Sequence, residues 1–536
     1  MARFVRAAAL FAALTVVMTW PQAARLATSA TPHPDVYFNM WRFAWFAHAL
    51  ASSPSRLLDG NIFYPEPRAL TFSDAMPVEA ALAAPLLWMR TPPVLVHNLL
   101  LLSGIVFSAA GIFMLASRLT GSSAAGITAG IIFAFAPYRF EHYMHMELQW
   151  TVWIPWAFWG LHRTVEHGRV RDGAMVGLFT ALQFLSSIYY GIFLATLLAL
   201  GTALLLCRAR GAALRRTAPA LLVGAAVAGA LLTPYAIPYA RTRQHVGTRS
   251  PEQVLEFGAR ASSYVVSTDS NLLYGARSAQ RGRPERRLFP GLLAVLLALV
   301  GLLLRRPTDE AIVYLITGVV AFEMSLGLRG YSFRFLYEYV PLFSSLRAPA
   351  RLGIFVVFCL AILAAYGHAA LQASLAKRWA AGLTMAIGGV LLVEYWVAPL
   401  PLAPFPNTPP PVYAWLATQS RGVVVEFPMP LPDTLPGHEA RYSYMSTFHW
   451  MPLLNGYSGY YPASYLSLID NVRQFPDETS IALLRQRGVR YVVVHTSLYT
   501  RDRAEQLLSR TEMSLALAQL GRFDDGEGNS VVFLLR

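Results

Sequence analysis

Long apolar runs recur through the first 400 residues, separated by short stretches rich in arginine, proline and glycine. Runs of about 17 to 25 apolar residues suffice to cross the hydrocarbon core of a bilayer as helices. One run, 173–206, is too long for a single span, so we expect a turn at "SSIYYG" to divide it. The predicted spans are the segment up to Trp20 and 94–117, 122–138, 150–165, 173–187, 189–206, 217–239, 288–304, 311–327, 351–373 and 380–398.

Basic residues give these spans an orientation. The loops "HRTVEHGRVRD", "CRARGAALRRT", "LRRP" and "AKRW" fall on one side, which the positive-inside tendency makes cytoplasmic. The first run follows Arg3 and Arg6 and resembles a signal peptide, but the many later spans favour a retained helix. About eleven transmembrane helices result, with the N-terminus in the cytoplasm and the C-terminus outside. The predicted outer segments are 21–93, 137–150, 240–287 and 328–353.

The chain changes character after the last apolar run. The stretch "PLPLAPFPNTPPP" is a proline-rich, semi-rigid linker. Beyond it, "GVVVEFP" and "VRYVVVH" have the pattern of strands, helical stretches lie between them, and "GRFDDGEGNSVVFLLR" predicts a hairpin. We therefore predict a polytopic α-helical membrane domain over 1–398, a linker over 399–412 and an extracytoplasmic α/β domain over 413–536.

Composition supports a membrane protein and excludes several other classes. Charged residues make up 14% of the chain, against about 25% in soluble domains, and 55% of residues are hydrophobic. The net charge of +14 does not indicate a nucleic-acid partner, because the arginines lie between apolar runs rather than on one soluble face. Cytoplasmic loops and anionic lipid explain much of this charge. The two cysteines are too few for a disulfide framework or a cysteine metal site.

Asp35 is a lone acid at the head of an aromatic stretch, "HPDVYFNMWRFAWFAHAL". After Pro34 it is a candidate N-cap for a helix that places Phe38, Trp41 and Trp45 on one face. Capping is compatible with chemistry, because a cap at the mouth of a cavity still presents one carboxylate oxygen. Both interpretations remain open at this stage.

The second outer segment carries "FEHYMHMELQW", a dense set of metal-ligand and proton-transfer side chains. These are Glu141, His142, His145 and Glu147. On a continuous helix Glu141 and His145 would share a face one turn apart. The set is either a polar collar that ends a helix or a polar wall of the same cavity as Asp35, binding a phosphate or a divalent cation.

Arginines in the last outer segment are candidates for phosphate binding. Arg347 and Arg351 are four residues apart at the entry to a helix whose first turn holds Pro349, so they should share a face. Guanidinium groups at headgroup depth suit a phosphate or a diphosphate, although lipid headgroups are an equal alternative. Arg334 and Trp41 complete the predicted set of substrate contacts.

Other motifs are weak or missing. Glu323 and Glu394 lie inside apolar runs, which by default makes them candidates for cavity-facing polar residues. The sequence has no P-loop, no dinucleotide-binding glycine motif and no G-x-S-x-G. An enzyme of this design would need an outward-facing site and a lipid-borne substrate, because nucleotide-activated donors are cytoplasmic.

The layout over about 1–400 resembles the C-type superfamily of integral membrane glycosyltransferases, in its bacterial dolichyl-mannose and aminoarabinose transferase-like branch. The resemblance rests on the first helix, the outer loop with "HPDVYFNMWRFAWFAHAL" and "NIFYPEPRALTFSDAMP", and the many short-looped helices. It implies that Asp35, an acid in the first outer loop, is the catalytic base. The second outer segment matches the position of a further acidic or metal-binding site in some members. No D-D or D-E doublet follows the first helix here.

The resemblance implies a protein of the bacterial cytoplasmic membrane that moves a sugar from a polyprenyl-phosphate donor to an extracytoplasmic glycan, lipid or protein. The implied reaction is a single displacement with inversion. The alternatives are a transporter or flippase for lipid-linked glycans, a ligase or polymerase of O-antigen, and a non-catalytic protein of envelope-glycan assembly. A transporter should show internally repeated halves, and no such pairing is evident in the sequence.

Overall fold

The computed structural model describes residues 2–208, 211–278, 280–304, 306–431, 434–435, 437–525 and 528–536, and most of them are helical. The first eighteen helices are α1 (Ala2–Met18), α2 (Pro34–Ser52), α3 (Pro77–Trp88), α4 (Pro93–Thr120), α5 (Ser123–Phe135), α6 (Pro137–Glu141), α7 (Met146–Gln149), α8 (Trp153–His167), α9 (Val170–Ser186), α10 (Ile188–Arg208), α11 (Gly211–Val246), α12 (Pro251–Phe257), α13 (Gly275–Ser278), α14 (Leu292–Leu303), α15 (Asp309–Ser325), α16 (Ser332–Tyr339), α17 (Gly353–Ala373) and α18 (Ala380–Glu394).

The last part of the chain contains shorter helices and most of the strands. The remaining helices are α19 (Pro411–Leu416), α20 (Glu439–Met445), α21 (Ala463–Asn471), α22 (Glu478–Gln486) and α23 (Arg501–Met513). The strands are β1 (Ser29–Ala30), β2 (Ala403–Pro404), β3 (Val423–Phe427), β4 (Val489–His495), β5 (Leu517–Asp524) and β6 (Asn529–Leu535).

A helix lies at each of the eleven predicted spans, and a break at Ser187 separates α9 from α10 as expected. Within the described residues, four helical segments are long and apolar enough to cross a membrane. They are Pro93–Thr120, Ile188–Arg208, Leu214–Val246 and Pro349–Ala373. The count of eleven membrane-spanning helices therefore stays a prediction, because the other helices at these positions are shorter.

The chain divides into two compact units. The first comprises Met1–Arg25, Leu99–Ile237 and Gly247–Pro401, and the second comprises Leu26–Asn98, Pro238–Val246 and Leu402–Arg536. The predicted domain boundaries stay predictions.

In the first unit, α17 is the central helix and packs against α5, α14 and α15. Its side chains Ile354, Phe355, Phe358 and Ile362 are completely buried. Close packing between helices depends on small residues: a Cβ added at Gly367 of α17 would lie 1.8 Å from the backbone oxygen of Leu297 in α14. Such backbone approach is typical of helix pairs in membranes.

In the second unit, a four-stranded sheet has the order β3-β4-β6-β5. β3 and β4 are parallel, while β4–β6 and β6–β5 are antiparallel. The strands and the closing hairpin lie where the alternation and apolar runs predict them. The unit also contains a two-stranded ladder, in which Ser29 pairs with Pro404 and Ala30 with Ala403. In the same unit, α2 packs against α3 and α20.

Candidate functional site

Asp35 lies in the first turn of α2, two positions further into the helix than the N-cap. His33 is the N-cap residue, and its Nδ1 accepts a hydrogen bond of 3.2 Å from the backbone N–H of Asp35. Pro34 occupies the first helical position, where its missing N–H costs nothing. The N-cap prediction for Asp35 is therefore wrong. Its carboxylate still sits at the helix N-terminus, where the backbone dipole favours negative charge.

The Asp35 carboxylate contacts a tyrosine and a histidine. The Tyr457 hydroxyl donates to Oδ1 over 2.5 Å, and His33 Nδ1 lies 3.7 Å from Oδ2. Burial, reinforced by the charge of Asp35, raises the pKa of Tyr457 above its ordinary value, so the phenol keeps its proton. The Asp35 side chain remains 17% exposed. Tyr457 thus orients a carboxylate that is still accessible to solvent.

Trp41 is completely buried, and its ring is stacked on that of Phe38. Its indole N–H donates to Asn61 Oδ1 over 3.0 Å. In this structure Trp41 holds α2 against the segment that follows it. A direct contact between Trp41 and a substrate stays a prediction.

The helix that carries Glu141 ends at that residue, so Glu141 and His145 do not lie one turn apart on a continuous helix. That prediction is wrong: α6 closes at Glu141, a turn follows, and α7 begins at Met146. The buried side chains of Arg139 in α6 and Gln149 in α7 stabilise the break between these helices. Arg139 donates to the backbone oxygens of Phe133 and Gln149, and the Gln149 amide donates to those of Arg139 and His142. Side chains thereby replace backbone hydrogen bonds that the break leaves unmade.

Instead of a histidine, an arginine binds Glu141. Arg287 lies 3.2 Å from the Glu141 carboxylate and 3.0 Å from Asp269. Burial raises the pKa of the Glu141 carboxyl, although the Arg287 charge opposes this. The arginine-rich segment 240–287 therefore contributes one buried arginine to this cluster.

Glu285 joins His142 to Arg351 in a second buried group. The Arg351 guanidinium donates to Glu285 Oε1 over 2.8 Å, and His142 Nε2 lies 3.6 Å from Glu285 Oε2. Burial alone would raise the pKa of Glu285, but the charge and hydrogen bond of Arg351, together with the neighbouring histidines, hold the pKa below its usual range. Burial lowers the pKa of His142 to about 3, so the imidazole is neutral at physiological pH. Glu285 belongs to no motif that the sequence predicts as a site.

His145 and Glu147 lie close to this group. The rings of His142 and His145 are 5.4 Å apart, and Glu147 is buried at the start of α7. Among the residues that the structure describes, no group of three or more histidine, cysteine, aspartate or glutamate side chains is arranged to hold a metal ion. The predicted common cavity with Asp35 stays a prediction.

Arg347 and Arg351 meet at Tyr189 rather than on one helix face. A 3₁₀ turn over Pro349–Leu352 precedes α17, so the expected helical spacing is wrong for this pair. The backbone N–H of Arg347 donates to the Tyr189 hydroxyl over 2.7 Å, and the Arg351 guanidinium lies 4.8 Å from the Tyr189 ring centre.

The two guanidinium groups differ in charge balance. Arg351 is buried and neutralised by Glu285. Arg347 is half-buried, with its guanidinium 4.7 Å from the ring centre of Phe257, and no carboxylate among the described residues lies within 4 Å of it. Arg347 is therefore the better candidate for binding an added anion.

An apolar groove of about 500 Å³ lies between α10, α15 and α16. Its lining residues are Thr196, Leu197, Leu200, Val320, Met324, Tyr331, Ser332, Phe335 and Leu336. Arg334 lies on α16 but is exposed and forms an ion pair with Glu338 over 3.2 Å. Tyr331, Phe335 and Tyr339 expose their rings, as in helices that lie in a membrane interface.

The two glutamates in apolar runs cap helices rather than face a cavity. Glu394 accepts from the backbone N–H groups of Leu292 and Leu293 at the start of α14. Glu323 accepts in the same way from Tyr331 and Ser332 before α16. Each carboxylate satisfies donors that a helix N-terminus leaves unpaired.

No protein-family model and no curated protein matches the chain in sequence. Among solved structures, the arabinofuranosyltransferase AftD from Mycobacteria is similar with a TM-score of 0.63 and 15% identity, over 99% of this chain. The chain spans 40% of the length of AftD. The oligosaccharyltransferase from Archaeoglobus fulgidus is similar with a TM-score of 0.51 and 11% identity, over 93% of this chain and 69% of that one.

ArnT from Cupriavidus metallidurans gives a TM-score of 0.46 and 12% identity, over 98% of this chain and 97% of that one. AftD and the oligosaccharyltransferase confirm the predicted fold, that of the C-type membrane glycosyltransferases. Together with the four apolar helices, they support the predicted membrane class.

Proposed function

We propose that this chain, which has the fold of the C-type membrane glycosyltransferases, transfers a sugar from a polyprenyl-phosphate carrier to an extracytoplasmic acceptor. The acceptor is a glycan, a lipid or a protein. The protein would act in the cytoplasmic membrane of a bacterium, with its N-terminus in the cytoplasm and the C-terminal unit outside. The observation that carries this proposal is an apolar groove lined by α10, together with Arg347, whose backbone is bonded to Tyr189 of the same helix and which has no carboxylate within 4 Å among the described residues.

The groove suits the tail of such a donor. All three helices that line it belong to the first unit, and their facing side chains are apolar or aromatic, with Thr196 and Ser332 as the polar members. The methyl-branched isoprenoid tail of such a donor lies in the hydrocarbon of the bilayer, and it can enter a groove with apolar walls without leaving a buried polar group unpaired.

Arg347 suits the phosphate of the same donor. Its backbone N–H is bonded to Tyr189, its guanidinium lies over the ring of Phe257, and the groove begins at Thr196, seven residues after Tyr189 along α10. Seven helical residues correspond to about 10 Å. A phosphate at Arg347 and an isoprenoid chain in the groove would therefore be two parts of one lipid.

The proposed reaction is one displacement at the anomeric carbon. Asp35 takes the proton of the acceptor hydroxyl as the hydroxyl oxygen bonds to the anomeric carbon. The bond from that carbon to the phosphate oxygen breaks, and its electron pair leaves with the phosphate, which Arg347 stabilises. Inversion at the anomeric carbon follows from the single displacement.

Arg347→Gln tests the donor assignment. Loss of one charge-assisted contact should raise the KM for a radiolabelled polyprenyl-phosphate sugar by roughly 10- to 100-fold, with a smaller effect on the acceptor KM. Arg118→Gln is the control, because Arg118 lies in the last turn of α4 and pairs with Glu166. An unchanged donor KM in Arg347→Gln, or no turnover of any lipid-linked pentose or hexose by the unaltered protein, would contradict the proposal.

A further inference from the structure

A second cavity, of about 280 Å³, opens in the second unit beside the start of α2. We call it the α2–α20 cavity, because α2 and α20 supply two of its walls. The residues that line the cavity include His33, Tyr37, Phe405, His438 and Arg441. Its size approaches the lower end of the range for small-molecule sites, about 300 Å³.

One wall of the α2–α20 cavity is aromatic and held in place by backbone hydrogen bonds. The rings of Tyr37 and Phe405 are 4.5 Å apart and inclined at 48°. Phe405 follows the β1–β2 ladder directly, and its N–H donates to the backbone oxygen of Thr28 over 3.0 Å. A fixed aromatic face of this kind is suited to the apolar C–H face of a sugar ring.

The facing side supplies polar groups. Arg441 carries a permanent charge, and its guanidinium offers donors in a fixed planar arrangement. Burial, and then the charge of Arg441, lowers the pKa of His438, so its imidazole is neutral at pH 7 and can both donate and accept. Sugar hydroxyls need this combination of donors and acceptors.

The cavity adjoins the proposed base. His33 lines it, and His33 Nδ1 both accepts from the Asp35 N–H and lies 3.7 Å from the Asp35 carboxylate. The His33 imidazole therefore lies both in the wall of the cavity and beside the Asp35 carboxylate.

We propose that the α2–α20 cavity binds the acceptor sugar, with its ring against Tyr37 and Phe405 and its hydroxyls on Arg441 and His438. The inference rests on the proposed function and assigns the acceptor a class: a glycan whose terminal ring has an exposed C–H face and vicinal hydroxyls. None of the lining residues belongs to the four helices that are long and apolar enough to cross a membrane. A soluble acceptor fits this environment better than the lipid-linked donor does.

Arg441→Gln and His438→Gln test the assignment by steady-state kinetics in proteoliposomes. Each should raise the KM for the acceptor about tenfold or more, while the KM for the donor and the slow transfer of its sugar to water stay unchanged. Arg473→Gln is the matched control, since Arg473 is exposed and pairs only with Asp470 among the described carboxylates. A rise in donor KM instead would make the cavity a phosphate site and overturn the proposal, and so would unchanged kinetics in both variants.

A direct measurement separates this inference from the proposed function. Saturation-transfer NMR with a panel of methyl pentosides and hexosides should detect binding to the unaltered protein and its loss in Arg441→Gln. Thermal unfolding of the variants shows whether they are folded. Failure of every glycoside to bind the unaltered protein overturns the sugar site, whereas glycoside binding without any lipid-dependent transfer contradicts only the proposed reaction.

Discussion

The Asp35 carboxylate lies between the phenol of Tyr457 and the imidazole of His33. Tyr457 fixes Oδ1 by a short hydrogen bond, and His33 caps the helix on which Asp35 stands. A base held by its neighbours needs little reorganisation when it accepts a proton. The arrangement therefore suits a positioned general base better than a carboxylate that serves only as a helix cap.

Tyr457→Phe tests this arrangement through pH. Because the pKa of Tyr457 is raised, the phenol is a donor over the whole range in which the enzyme would work. Losing a hydrogen bond to the charged form of a carboxylate favours its protonated form. Since only the deprotonated form is a base, the acid limb of the pH–rate profile should move to higher pH by about one pH unit, the effect of one lost hydrogen bond.

The matched control for that profile is Tyr499→Phe, because Tyr499 is half-buried like Tyr457, lies in the same unit and makes no contact with Asp35 among those described. If the acid limb of the pH–rate profile does not move in Tyr457→Phe, Tyr457 has no role in the proton transfer. An equal displacement in both variants would indicate a general loss of stability rather than an effect on the base.

At the scale of single residues, the sequence predicts candidate site residues but not the side chains that contact them. Asp35 is identifiable because it is an isolated acid at the start of an aromatic helix in a segment predicted to lie outside the membrane. Tyr457 lies 422 residues further along the chain, and Glu285 lies 66 residues before Arg351. No local pattern connects residues at such separations, because the folded chain alone brings them together. Glu285 carries one weak signal, as an acid within an arginine-rich outer segment.

At the scale of helices, backbone contact at glycine holds α9 against α11. A Cβ added at Gly173 would lie 1.9 Å from the backbone oxygen of Ala220, and one added at Gly177 would lie 2.0 Å from that of Gly224. Contacts this close permit only glycine, and small residues four apart are the usual means of helix association in membranes.

Gly177→Val should therefore separate α9 from α11. Since the opposing atom belongs to the backbone, side-chain repacking cannot relieve the clash, and overpacking of this kind costs about 1–3 kcal/mol or more. Thermal unfolding in detergent should show a lower Tm than that of Gly389→Val, because a Cβ at Gly389 in α18 meets nothing within 4 Å. Equal Tm values for the two variants would contradict the packing described for α9 and α11.

Helix positions were predictable from the sequence, but their ends and interruptions were not. Apolar periodicity predicted α4, α10, α14 and α17 to within a few residues. It did not predict the break after Glu141, because Arg139 and Gln149 support that break through hydrogen bonds to backbone oxygens. An arginine and a glutamine at the end of an apolar run are the only sequence signal of it.

At the scale of the whole molecule, the features divide between the two units. The groove, Arg347 and the Glu285 cluster belong to the first unit, and Asp35, Tyr457 and the α2–α20 cavity belong to the second. The proposed reaction assigns donor binding to the first and acceptor activation to the second. The sequence predicted the membrane class and the C-type fold, and the predicted domain boundaries stay predictions. Contacts group Leu26–Asn98 with the C-terminal part of the chain.

The central claim is that Asp35 is the base of an outward-facing glycosyl transfer. Proteoliposomes containing a radiolabelled polyprenyl-phosphate sugar and an external acceptor measure this most directly, with Asp470→Asn as the control because Asp470 is exposed and pairs with Arg473. Asp35→Asn keeps the shape of the side chain and should lower kcat by roughly 10²- to 10⁴-fold, with donor KM and thermal stability unchanged. Transfer by Asp35→Asn at the unaltered rate would contradict the account.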